Sequence, residues 1–122
     1  MLRVTDLDRS LEFYARHFGL QELRRIHLPE TRRTLVFIGT PGAEPSAMQL
    51  ELWHEPSPAH DTRSHLRYHI GINVPDIDAF VARLQESGIE VLQPVAALRP
   101  GGRRLTMIID PDGHELELLS MD

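Results

Sequence analysis

Apolar positions along this chain change period several times. Leu7, Leu11, Tyr14, Ala15 and Phe18 recur at helical spacing; Asp6 or Asp8 can cap the start, and Gly19 is placed to end the helix. A second stripe, Ile77, Phe80, Val81 and Leu84, follows a capping Asp76 and stops at Gly88. Elsewhere the pattern alternates, as strands do. Strands are predicted at about residues 20–26, 34–39 and 48–54 after the first helix, and 89–92, 104–109 and 114–120 after the second. A short strand also precedes each helix, ending at Val4 and at Val74.

The same order of elements therefore occurs twice, and the residues repeat with it. "RVTDLD" at 3–8 matches "NVPDID" at 73–78. "RRTLVFIGTPG" at 32–42 echoes "RRLTMIIDPDG" at 103–113, and "LEL" stands at both 50–52 and 116–118. The expected architecture is α+β: two tandem βαβββ modules, about 1–55 and 67–122, with a linker at about 56–66 that contains Pro56, Pro58 and a polar stretch at 59–64. Each module is expected to form a curved mixed sheet with its helix on the convex face, and the two to pair around a concave cleft within a single domain.

Alternation assigns faces. Leu116 and Leu118 point to a core, so Glu115 and Glu117 point the other way, and Glu51 is the counterpart of Glu117 in the first module. In "YHIGINV", Ile70, Ile72 and Val74 face the helix, which leaves His69, Gly71 and Asn73 on the side of the glutamates. Taken singly, a strand glutamate opposite leucines is usually solvent-facing, and a lone histidine is more often structural than a ligand. Repetition of the placement favours a site. With Asn73 equivalent to Arg3 and Val74 to Val4, the counterpart of His69 falls two positions before Met1. The repeat thus predicts a four-ligand site, of which Glu51, His69 and Glu117 are three.

One imidazole and two carboxylates suit a divalent first-row metal such as Ni, Co, Zn, Mn or Fe. The chain has no cysteine, so disulfides, thiolate chemistry and a closed thiolate zinc site are excluded. A ligand position left to water favours a catalytic role. The other histidines carry less: His60 and His65 lie in the linker, His17 and His27 sit near element ends, His54 is off the Glu51 face, and His114 follows the "DPDG" turn and tunes it. Formal net charge is -5, and the arginine pairs 24–25, 32–33 and 103–104 are isolated, which argues against nucleic acid as partner. No apolar run reaches membrane-spanning length and no signal peptide opens the chain, so a cytoplasmic protein is expected, with no membrane partner.

These stretches, "MLRVTDLDRSLEFYARHFGL", "MQLELW", "HIGINVPDIDAFVARLQESGIEV" and "DPDGHELELLS", together resemble the vicinal oxygen chelate (glyoxalase/bleomycin resistance/dioxygenase) superfamily over nearly the whole chain. Within it the pattern is most similar to the glyoxalase I (lactoylglutathione lyase) group. That likeness implies Glu51, His69 and Glu117 as metal ligands, with a first ligand, histidine or glutamine, upstream of Met1 in a chain that starts late. It implies nickel or cobalt over zinc, and a homodimer whose sites are shared between chains. The implied substrate is the hemithioacetal of methylglyoxal and glutathione, isomerised through an enediolate, with Glu117 as the base and Glu51 as a possible second base. Arg3 resembles a contact to the glutathione carboxylates; Trp53 shares the Glu51 face and is expected to wall the pocket, and Arg99 to Arg103, around "RPGGR", are expected to form a mobile loop over the anionic substrate. For Arg3 the rival reading is an exposed strand arginine, and for Trp53 core packing. Other members of the fold bind drugs or hydrophobic ligands without catalysis, or act as dioxygenases or thiol transferases, and these remain the alternatives.

Overall fold

The computed structural model describes residues 1–44, 47–55, 69–97 and 99–121. The predicted linker, with His60 and His65, lies outside them. The chain divides into two compact units, Met1–Ser64 and His65–Asp122.

Among the described residues the first unit runs β1 (Leu2–Val4), α1 (Leu7–Phe18), β2 (Gln21–Leu28), β3 (Arg33–Gly39) and β4 (Leu50–His54). Its four-stranded sheet has the order β1-β4-β3-β2. β1 is parallel to β4, and the other pairs are antiparallel. A parallel pair cannot close through a tight turn, so α1 and the β2–β3 hairpin fill the crossover. Asp6, not Asp8, caps α1, accepting a hydrogen bond from the Arg9 amide at 3.0 Å. Gly19 ends it at φ 68°, donating to the Ala15 carbonyl. The buried face of α1 is turned from the predicted stripe. Ser10, Phe13 and Tyr14 are buried, whereas Ala15 is exposed and Leu11 half-buried. Turning Phe13 inward rather than Ala15 removes more apolar surface from water, and Phe13 then meets Tyr14 edge to face at 5.1 Å.

The second unit repeats the order: β5 (Ile70–Val74), α2 (Ile77–Glu86), β6 (Ala96–Ala97), β7 (Arg104–Ile109) and β8 (Glu115–Ser120), with sheet order β5-β8-β7-β6. α2 lies against β8 and buries Ile77, Val81 and Leu84, while Phe80 is half-buried. The strand predicted at 89–92 is not formed. Val91 makes an isolated bridge to Ile108 and the Leu92 amide donates to the Met107 carbonyl at 2.8 Å. The Gln93 carbonyl then accepts from the Thr106 hydroxyl, and Pro94 has no amide to continue the ladder. Pairing resumes only at Ala96–Ala97. The turn into β8 is held by Asp110, whose buried carboxylate accepts from the amides of Asp112 and His114, each at 2.9 Å. The same carboxylate meets the buried His114 Nδ1 at 2.7 Å.

Strand registers fix the repeat residue by residue. Leu2 pairs with Leu52 as Ile72 pairs with Leu118, and Phe37 pairs with Glu51 as Met107 pairs with Glu117. Glu51 and Glu117 are therefore equivalent, as are Arg3 and Asn73. The two "RR" strings are not equivalent position for position. Buried Val36 and Ile38 correspond to buried Thr106 and Ile108, so Arg33 stands where Arg103 does, one residue off the alignment of the letters. A one-residue slip would have put every core side chain on the wrong face.

Candidate functional site

In the second unit β8 lies between β5 and β7, with Leu116 and Leu118 in the core and Glu117 on the opposite face, half-buried. Parallel pairing sets Gly71 beside Glu117, and His69 lies two residues before Gly71. The two site residues predicted here are brought together: His69 Nε2 lies 3.5 Å from Glu117 Oε2, with the His69 side chain 49% exposed and that of Glu117 21%. Gly71 keeps the corner between them open. A Cβ there would lie 3.8 Å from Glu117 Oε2 and 3.3 Å from Leu119 Cδ1.

Arg103 reaches the same face by a different route from the predicted loop. Its Nε donates to the Ser120 carbonyl at 2.7 Å and its Nη2 to Asn73 Oδ1 at 2.7 Å. Nη2 also contacts the Ser120 carbonyl. Arg103 is thereby fixed to the ends of β5 and β8. Its neighbour Arg104 makes a two-pronged ion pair with Asp78 at the start of α2, at 2.5 and 2.7 Å. The Arg104 hydrogen bonds hold the Asp78 carboxyl below its usual range.

In the first unit, Glu51 has the equivalent place on β4, half-buried, with Phe37 beside it on β3. Arg3 pairs with Trp53 across β1 and β4 and is exposed. Trp53 is half-buried; its indole N–H donates to Glu55 Oε1 at 3.1 Å, and the Arg33 guanidinium sits 4.9 Å above its ring. Arg33 also forms an ion pair with Glu55. Trp53 thus belongs to a surface cluster rather than to the core. Arg24 covers Phe37 at 4.3 Å. Gly71 lies on the face that alternation assigns it, whereas the involvement of Arg33 and Glu55 is not evident in the sequence. The signal for Arg33 was present in the alternation of β3, which sets it on the Glu51 face, and was hidden by the slipped "RR" echo.

His69 and Glu117 fit a divalent ion as two of its ligands. Two donors 3.5 Å apart can both reach one ion at bond lengths of about 2.0–2.2 Å, and the Gly71 corner leaves room beside them. Among the described residues, no group of three or more His, Asp or Glu could hold a metal. The pair is what one unit brings together; Glu51 belongs to the other unit.

Residues 1–118 match the family described as the Glyoxalase/Bleomycin resistance protein/Dioxygenase superfamily. The chain belongs to that superfamily. It is 36% identical to a lactoylglutathione lyase of Haemophilus influenzae, covering 98% of this chain and 87% of that protein. It is 33% identical to a lactoylglutathione lyase of Neisseria meningitidis, over 98% and 86% of the two chains. Its fold matches the solved trypanothione-dependent glyoxalase I of Leishmania major with a TM-score of 0.79 at 35% identity, over 98% of this chain and 82% of that one. The expected α+β architecture of this superfamily is what the two mixed four-stranded sheets and their helices form. No helix among the described residues is long and apolar enough to cross a membrane.

Proposed function

We propose that the chain is a metal-dependent lyase of the glyoxalase I type that isomerises the hemithioacetal of methylglyoxal and glutathione. Pairing of His69 with Glu117 at 3.5 Å, on the sheet position that Glu51 repeats in the other unit, carries this reading. The likeness to lactoylglutathione lyases over nearly the full chain supports the substrate.

His69, Glu117 and Glu51 would hold the ion, nickel or cobalt in preference to zinc. When bound, the ion acts as a Lewis acid toward the substrate's two neighbouring oxygens. Glu117 is the base. Its carboxylate takes the proton from the hemithioacetal carbon and returns it to the adjacent carbonyl carbon, so no atom is gained or lost and a thioester results. Glu51, at the equivalent position, is the second ligand carboxylate and a possible second base. The Arg3 guanidinium, free of hydrogen bonds and ion pairs among the described residues, would receive a glutathione carboxylate, and Trp53 and its Arg33 cap would flank it. Arg103, fixed by Asn73 and Ser120, contributes positive charge beside the Glu117 face. A single glyoxalase-like domain, a homodimer with shared sites and a cytoplasmic setting, where glutathione is abundant, complete the proposal.

The test is a hemithioacetal isomerisation assay on metal-stripped protein reloaded with nickel, cobalt or zinc. Activity should vanish on chelation and return with nickel or cobalt. Glu117→Gln should lower kcat by about 100-fold or more while keeping the wild-type circular dichroism spectrum. Undiminished turnover by Glu117→Gln would overturn the assignment of the base.

A further inference from the structure

Gly71 sits inside a strand without needing to be glycine for its backbone. It is not among the glycines with positive φ, so any L-residue fits the conformation. A glycine in a strand interior loses side-chain packing and backbone order, and commonly marks a place where something approaches closely. Here the approach is to the Glu117 carboxylate. Gly71 is the direct cross-strand neighbour of Glu117 and lies two residues beyond His69 on the same face. A Cβ would stand in ordinary contact with Glu117 Oε2, at 3.8 Å, and tight against Leu119 Cδ1, at 3.3 Å. Leu119 would need to give by a few tenths of an ångström. Atoms beyond Cβ would enter the corner next to the carboxylate.

We propose that Gly71 is a specificity-determining residue: the absence of its side chain sets how bulky a group the substrate can carry on the carbonyl carbon to which Glu117 returns the proton. This rests on the proposed lyase reading. Leu119 is the second wall of the same corner, half-buried and flanked by Asn73 across the strand pair. With no side chain at 71 the space beside the Glu117 carboxylate stays open, so discrimination falls on the bulk of the group next to the reacting carbon.

The test compares wild type, Gly71→Ala and Gly71→Val with hemithioacetals of methylglyoxal and phenylglyoxal, alongside cobalt titration and thermal melting of the metal-free chain. Alanine should lower kcat/KM for the phenyl adduct by a few-fold and valine by tenfold or more, mainly through KM. The methyl adduct should lose less in both variants. Cobalt affinity should stay within about threefold of wild type in Gly71→Ala, because both donors remain. The Gly71→Ala chain should melt close to wild type, since alanine orders a strand better than glycine while Leu119 has to shift slightly. If Gly71→Ala and Gly71→Val change both substrates equally, or neither, Gly71 does not set specificity. If wild type binds no cobalt and isomerises neither adduct, the lyase reading itself fails.

Discussion

At the scale of single residues, the alternation of two strands put His69 and Glu117 on one face, where their side chains come within 3.5 Å, because a strand offers each side chain only two directions. Their mutual distance was not legible, since it depends on which strands become neighbours. Arg103 shows the complementary limit. It was expected in a loop over the anionic substrate, but its hydrogen bonds to Ser120 and Asn73 arise only once β5 and β8 lie side by side. His17 makes a prediction of its own. Its ring lies at 5.2 Å from Phe13 in α1, and burial, reinforced by the Arg16 charge and partly opposed by Glu12, lowers its pKa below the usual 6.5. The unfolded chain therefore binds more protons than the native one between the lowered value and 6.5. Stability from this group is present above pH 6.5 and lost as pH falls through the folded value. Urea midpoints should drop between pH 7 and 5, and His17→Gln should flatten that part of the profile.

Elements were legible to the extent that their ends are chemically marked. α1 begins at an aspartate cap and stops at Gly19, whose φ of 68° suits glycine. A Cβ at Gly19 would meet no atom within 4 Å, so Gly19→Ala should cost only backbone strain, about 1 kcal/mol. Chemical denaturation at pH 7 measures it, and a cost near zero would remove this glycine's structural role. The apolar letters after α2 resemble a strand, while the proline at 94 decides where pairing can continue. The buried face of α1 departs from its hydrophobic stripe for a different reason. Helical spacing leaves two adjacent faces available, and the sheet beneath selects the one that buries Phe13.

For the whole molecule, the duplication was the most informative feature of the letters, and the strand registers give it a residue-level form. Glu51 and Glu117 occupy one position of a repeated design, so the proposed homodimer makes a sharp prediction. If each site takes Glu51 from one chain and His69 and Glu117 from the other, Glu51→Gln and Glu117→Gln proteins should each be inactive alone. Mixing them under subunit exchange should restore about a quarter of wild-type activity, because half the dimers are mixed and one of their two sites is intact. No recovery after exchange, verified by mass-tagged chains, would place the site within a chain.

β4 and β8 come last within their units yet lie inside their sheets, each joining a first strand to a hairpin that already exists. A nascent polypeptide emerging from the ribosome can thus hold β1, α1, β2 and β3 without a finished sheet, and the same waiting period recurs for β5 to β7. The glutamates at 51 and 117 ride on the two strands that end those waits. Each carboxylate reaches its place with the closing step of its own half, so a half-made unit does not yet present its glutamate of the proposed metal site.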